Sequence, residues 1–578
     1  MRRALALVAS LVSYGLGALV VIGPQNLLTP HRAAGKGLDL PGTIWIHHWV
    51  AQETLAGRFP VRTDLLFYPD GKNFLADTGA NYVDAWLGMP LQWLVGVPQY
   101  LGWLGLLILV LNALAARSVV AGLTGRASAA WAAGMVVLLN PFTAQELAEG
   151  RPTQALIPFG ILAVGQLLRV REGWRHAVLF GALVAAQAVT YWFTPYFLAV
   201  ALLPVALVLS RSAPRVVVPR LAVAVAVTLL LTSPFLVGVF EALRHGEVSR
   251  AGFADWRDSP AAQPARWRLV LSELETASTL AMVALAAWAA RRSTVSTLAL
   301  LGGAALAVLL AAGARFDVTT TPLLNPLYLA AWKLPLFSRL GHPERALMGL
   351  WCVLPVAAAL GLAQLRPRWA LLFGLLSAGE SIARSSWPIA GTVFDFPAAI
   401  ERIQDGAVIQ LPFAAADPGM VLQTRHGQPI FGGMGEREAD LRPPGFQARL
   451  ENPFVLALAG TMNDRDPPIA YTAADRAAIT SLFRWVWLDR RLVPSGAAAR
   501  GYDPSAKARQ LVKELGPSVA SGPDGWLWDL SRPTPPNPPG MGAAAVAAPP
   551  DLLDRLGDVD RPIQAPEPMR RRGVGPGE

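Results

Sequence analysis

Charge is scarce in this chain of 578 residues: only 16% are Asp, Glu, Lys or Arg, against 53% hydrophobic. Several apolar runs are long enough to cross a bilayer, so the composition predicts a polytopic membrane protein and excludes an ordinary soluble one. The net charge of +10 does not point to nucleic acid. Its arginines stand singly or in pairs between apolar runs, as positive-inside anchors do. Cysteine is nearly absent. The only one, Cys352, lies in an apolar run, which excludes an intrachain disulfide and a cysteine-based zinc site. The sequence also lacks a P-loop, a GxGxxG after a strand, HExxH, a GxSxG elbow and any repeat of fixed period. Nucleotide hydrolysis and serine-hydrolase chemistry therefore have no support.

What is present is a succession of apolar runs. Arg2 and Arg3 precede one from about Ala4 to Gly23 with no clean A-x-A after it, which reads as an uncleaved first span with a cytoplasmic N-terminus. Further runs occupy Trp86 to Ala115, Ala127 to Pro141, Thr153 to Leu168, Ala177 to Trp192, Pro195 to Leu209 and Val216 to Phe240. The last are Leu274 to Ala290, Leu298 to Ala314, Ala346 to Leu365 and Ala370 to Ile382. That makes about eleven transmembrane helices. Alternating their direction puts the short arginine-rich connections, such as Arg169 to Arg175 and Arg211 to Arg220, on the cytoplasmic side. The long segments, including everything after about Arg384, fall on the other side. A single bent pass around Tyr191 to Pro195 would invert every later span.

The sequence thus divides into a transmembrane domain, 1–390, with a large first extracytoplasmic loop at 24–85, and a soluble domain at 391–532. In the latter, Ala407 to Phe413, Gln428 to Gly433, Phe483 to Asp489 and Gly525 to Leu530 read as strands bounded by turn residues. Ala473 to Leu482 and Ser505 to Leu515 have helical spacing, so the soluble part is of α/β type. The Pro/Gly/Ala-rich tail, 533–578, reads as disordered. The first loop carries Asp39, His47, His48, Asp64, Asp70, Asp77 and Asp84 among aromatic residues, the layout of an enzyme acting at the membrane surface on a lipid-borne substrate.

Several short elements together resemble the GT-C class of membrane glycosyltransferases, and within it a group of poorly characterised bacterial proteins. The pattern Asp39, Thr43, Trp45, Trp49 is similar to that group's Asp, Asn, W-x-x-x-W, with Thr43 in place of Asn. Leu65 to Pro69, Asn140 to Gln154, Leu334 to Ala346 and the strands VIQLPF and QPIFGG are similar to further family elements. The resemblance implies a GT-C-like helical fold in a bacterial inner membrane, with the soluble domain outside the cytoplasm. It also implies inverting transfer of a sugar from a polyprenyl-phosphate donor to an envelope glycan or protein acceptor, with an Asp as general base. The departing lipid phosphate needs cations or a divalent metal (Mg or Mn) to stabilise it.

Asp39, just past the first span, is the candidate base; the alternative is an N-cap for a helix beginning at Leu40-Pro41. Asp77, Asp84 and Glu149 are candidates for positioning the acceptor or a metal, with turn, solvent-facing or salt-bridged roles as alternatives. Arg339, His342 and Arg345 lie at the outer mouth of the spans, where a lipid phosphate would sit, and arginine suits it by its planar fork. Trp45 and Trp49 are candidates to stack on a sugar, or belong to the interfacial aromatic belt. A transporter or flippase for lipid-linked glycans, or a silent assembly factor, is the competing class. Spans nearly free of ionisable residues favour the transferase over the transporter.

Overall fold

The computed structural model describes residues 2–77, 81–244, 266–292, 295–317, 323–334, 337, 340, 342–413, 416–433, 442–460, 467–492, 502–533, 535–541 and 546–548. The chain forms two compact units: Met1–Val61 with Asn73–Asp395, and Arg62–Lys72 with Phe396–Glu578.

The first unit is helical. Six helices are long and apolar enough to cross a membrane by length and composition: Ala4–Ile22, Tyr100–Thr124, Ala127–Ala148, Thr194–Ser212, Pro214–Ala242 and Pro343–Leu362. Shorter apolar helices cover Pro152–Leu168, Ala277–Arg291 and Ser296–Ala311. The protein is a multi-pass membrane protein. Leu347–Leu362 is apolar all round and buried along almost its whole length, as a helix without a polar face must be. Elsewhere glycines let backbones approach. A Cβ on Gly303 would run into the Ala201 carbonyl, and one on Gly181 into that of Ala224.

One boundary differs from the sequence expectation. The run from Trp86 does not form one span: the helix Tyr82–Val95 stops at Gly96, whose φ of +82° suits glycine, and a new helix starts at Tyr100. The two runs expected around Tyr191 are found as two helices and not as one bent pass. Trp174–Thr190 and Thr194–Ser212 are separate helices, with Tyr191 extended between them.

The second unit holds a five-stranded mixed sheet in the order Ala520–Gly522, Gly525–Asp529, Phe483–Asp489, Ala407–Leu411, Ile430–Phe431. The first three strands pair antiparallel and the last three parallel. Helices Ala473–Thr480 and Pro504–Leu515 occur where the spacing predicts them. Part of the first loop belongs here and not with the helical domain. Phe67 N donates to Gly432 O (2.9 Å), Tyr68 N to Ile430 O (3.1 Å) and Ile430 N to Leu65 O (2.9 Å), so LLFYP extends the edge beyond Ile430–Phe431. Phe67 then packs edge-on against Phe446 at 4.9 Å, and Asp70 pairs with Arg449.

The expected disordered tail is docked at its start. Val546 exchanges backbone bonds with Pro468 and Ala470, and Gly540 N donates to Glu514 Oε1 (2.8 Å) beside Tyr471. Positions 549–578 lie outside the described residues.

His426 gives this unit a pH response. Its Nδ1 accepts from Gln428 N (3.1 Å), and its buried Nε2 has no hydrogen-bond partner among the described residues. Burial pushes its pKa down to about 4. Because the unfolded imidazole titrates near ~6.5, the unfolded chain binds the extra proton first, and stability falls as pH drops from there towards 4. Hydrogen exchange in the helix Ala416–His426 is expected to lose protection across that window, and His426→Gln to remove the effect.

Candidate functional site

The ends of two helical segments are brought together by close backbone contact. Lys36 N donates to Ala148 O (2.9 Å), and Thr43 Oγ1 to Gly150 O (2.8 Å). Glycine is required on both sides. A Cβ on Gly37 would lie 2.6 Å from Glu149 Oε2, and one on Gly150, where φ is +76°, 2.7 Å from Leu40 Cα. The approach sets Asp39 beside Arg151, whose Nε donates to Asp39 Oδ2.

Asp39 stands at the N-cap position, but its side chain does not cap. Its own φ and ψ are already helical, and its side chain makes no capping bond to the helix Leu40–Leu55. The carboxyl is used by Arg151 and remains 46% exposed. Burial raises its pKa, but the charges of Arg151 and Arg345, the Arg151 bond and His342 outweigh this and hold it below the ordinary carboxylate value.

The same arginine reaches a second acid: Arg151 Nη1 lies 3.7 Å from Glu146 Oε2, on a side chain only 8% exposed. Arg345 Nη1 donates to the Tyr191 hydroxyl (3.0 Å), with its guanidinium 5.9 Å from the ring centroid, and its charge bears on both Glu146 and Asp39. Next to it, His342 Nδ1 meets Glu344 Oε1 (2.9 Å), and Arg266 Nε lies 3.6 Å from Glu344 Oε2. Asp39, His342 and Arg345 therefore belong to one polar cluster, which Arg151 joins, while Glu149 lies against Gly37 and its side chain makes no hydrogen bond to the cluster among the described residues. Arg339 lies outside the described residues.

Asp84 sits in a separate cluster. It is fully buried, and its Oδ2 accepts from Thr153 Oγ1 (2.5 Å) and meets His47 Nε2 at 2.9 Å. Its Oδ1 and His47 Nδ1 have no hydrogen-bond partner among the described residues. Because Thr153 is two residues from Arg151, this pair holds the turn that carries the arginine. Asp77 ends the short helix Phe74–Asp77, and its side chain is outside the described part. Trp45 and Trp49 depart from the sugar-stacking expectation. They are 0% and 3% exposed and stack on each other at 5.7 Å and on Phe74, as core aromatics.

Among the described residues no three His, Cys, Asp or Glu side chains are placed to hold a metal ion, and the Asp39 carboxylate is on an arginine instead. Arg151 is not among the candidates that the sequence singles out. The signal is its place directly after Gly150, in the polar stretch at the end of a span.

No family model matches the chain, and no curated protein matches it in sequence. Solved structures do. The arabinofuranosyltransferase AftD from Mycobacteria superposes with a TM-score of 0.55 at 15% identity, over 92% of this chain and 42% of that one. This chain therefore spans less than half of AftD. Two others are similar at TM-scores below 0.5. One is the oligosaccharyltransferase AglB from Archaeoglobus fulgidus in complex with an inhibitory peptide and a dolichol-phosphate (0.49, 13% identity, 85% of this chain and 70% of that one). The other is ArnT from Cupriavidus metallidurans bound to undecaprenyl phosphate (0.43, 14% identity, 94% and 99%). With its apolar helices, its sheet-containing soluble unit and this likeness to AftD, the chain has the GT-C-like fold of membrane glycosyltransferases.

Proposed function

We propose that this protein is a membrane glycosyltransferase that moves a sugar from a polyprenyl-phosphate donor to an acceptor outside the cytoplasm, with Asp39 as general base. The observation that carries the reading is the joining of Asp39, Arg151, His342 and Arg345 in one cluster, from segments far apart in sequence. A carboxylate and several cations at the end of apolar helices suit a reaction between an alcohol and a lipid phosphate ester. The acceptor oxygen bonds to the anomeric carbon as its proton passes to Asp39. The bond from that carbon to the phosphate oxygen breaks, and polyprenyl phosphate leaves with the electron pair. One displacement inverts the anomeric centre. Arg345 and His342, with Arg339 in the same loop, hold the phosphate.

Glu149, facing Gly37 beside Asp39, orients the acceptor. Asp84 is a positioning residue that acts through Thr153 and the Arg151 turn. The arginine-rich connections support a cytoplasmic N-terminus and a sheet unit outside the cytoplasm, and the proposed membrane is a bacterial inner one. AftD, which shares the fold, is an arabinofuranosyltransferase, so a pentofuranose belongs on the first donor panel.

The test is to supply membranes containing the protein with radiolabelled polyprenyl-phosphate sugars and envelope acceptors. Incorporation above that of membranes lacking the protein, with inverted anomeric configuration, is expected for at least one donor. Retained configuration would contradict the single displacement.

A further inference from the structure

The charges around Asp39 constrain any anion that enters. Among the described residues each arginine of the cluster already has a partner: Arg151 on Asp39 and near Glu146, Arg266 on Glu344, Arg345 on Tyr191. A phosphate arriving in a partly buried, internally neutralised cluster meets one available donor, Arg345 Nε, which has no hydrogen-bond partner among the described residues; a second arginine to share its charge must change partner. The cost of giving one up depends on what it leaves behind. Releasing Arg266 would leave Glu344, 19% exposed, with His342 alone, and Glu146, 8% exposed, has Arg151 Nη1 as its ion-pair partner, so that end of Arg151 must stay; a buried carboxylate without a partner is strongly unfavourable. Asp39 is different. At 46% exposure it is open to water or to an acceptor, and Arg151 is itself 21% exposed.

We infer that Arg151 is an exchanging ligand: it neutralises Asp39 while the site is empty and transfers to the phosphate when the donor lipid binds. This rests on the proposed reaction for the identity of the anion. The exchange couples the two substrates. While Arg151 is on Asp39 the carboxylate is a weak base; once the arginine moves, Asp39 is free to take the acceptor proton. The base is therefore disclosed only when a donor is in place. Arg151 thereby becomes a phosphate-binding residue and not only a salt-bridge partner.

The test is equilibrium binding of radiolabelled undecaprenyl phosphate to the full chain in nanodiscs, with inorganic phosphate as a second arm. Arg151→Gln is expected to weaken lipid binding about tenfold to a hundredfold, the scale of a charge-assisted hydrogen bond. Asp39→Asn, which removes the competing carboxylate, is expected to tighten it about twofold to fivefold. The tightening must disappear in the Arg151→Gln background, because it operates through Arg151. If Asp39→Asn tightens binding equally in both backgrounds, the effect is general electrostatics and the exchange is wrong. Unchanged binding in Arg151→Gln overturns the exchange while leaving the donor class standing. Absence of lipid binding by the wild type overturns the proposed reaction and the exchange with it. Inorganic phosphate competing as well as the lipid would place the anion's source in solution and contradict a donor-gated base. Should Arg151→Gln misfold, Arg151→Lys keeps the charge but not the fork, and is expected to bind more weakly than wild type.

Discussion

Replacing Asp84 by alanine is expected to destabilise the helical unit by about 3–5 kcal/mol, the range for breaking a buried polar pair from one side. Asp84 Oδ2 is the shared acceptor of His47, on the helix Leu40–Leu55, and of Thr153, on the turn after Arg151, and all three groups are buried. Removing the carboxylate leaves both partners without their hydrogen bond in a place water does not reach, at ~1–3 kcal/mol each. Asp84→Asn keeps an acceptor and is expected to lose less, and Thr153→Val, which leaves the His47 contact, less again. Thermal denaturation of the purified variants in one detergent checks the ranking. An Asp84→Ala protein as stable as wild type would show that the cluster holds nothing together.

Asp39→Asn is expected to lower sugar transfer about a hundredfold to ten-thousandfold, the usual contribution of a general base, while leaving stability nearly unchanged. Stability should survive because the side chain is half exposed and caps no helix. Its bond to Arg151 belongs to a pair open enough to be worth ~1 kcal/mol or less. The acid limb of kcat/KM reports the free enzyme, in which Arg151 and Arg345 hold the Asp39 carboxyl low. The group stays ionised as pH falls to the ordinary carboxylate range near ~4, so activity is not lost to its protonation above that pH. Equal loss of activity and folded protein in Asp39→Asn would reduce the residue to a structural one.

The sheet was legible in the sequence because its strands are short β-branched and aromatic runs bounded by turn residues. Ala407–Leu411, Phe483–Asp489 and Gly525–Asp529 lie inside the runs that predict them. Asp39 and Arg345 could be singled out because charge at the end of an apolar run needs a reason. What brings them together could not. The Asp39–Arg151 contact depends on Gly37 and Gly150 letting two backbones touch, which no local pattern encodes. LLFYP joins an edge strand more than 350 positions away, and its own alternation gives no hint of the partner. His47 reads in the sequence as hydrogen-bonding to a neighbour or to lipid phosphate, with metal ligation the lesser alternative; nothing near it identifies Asp84 as that neighbour. Trp45 and Trp49 stand at helical spacing beside a membrane run, where core packing, an interfacial belt and sugar stacking write the same pattern.

The most direct measurement of the central claim is sugar transfer by the purified protein in liposomes carrying one radiolabelled polyprenyl-phosphate sugar and its acceptor, comparing wild type with Asp39→Asn at equal folded amounts. The account predicts incorporation by wild type, release of polyprenyl phosphate in equal quantity, and loss of both in the variant. Transfer undiminished in Asp39→Asn would contradict it.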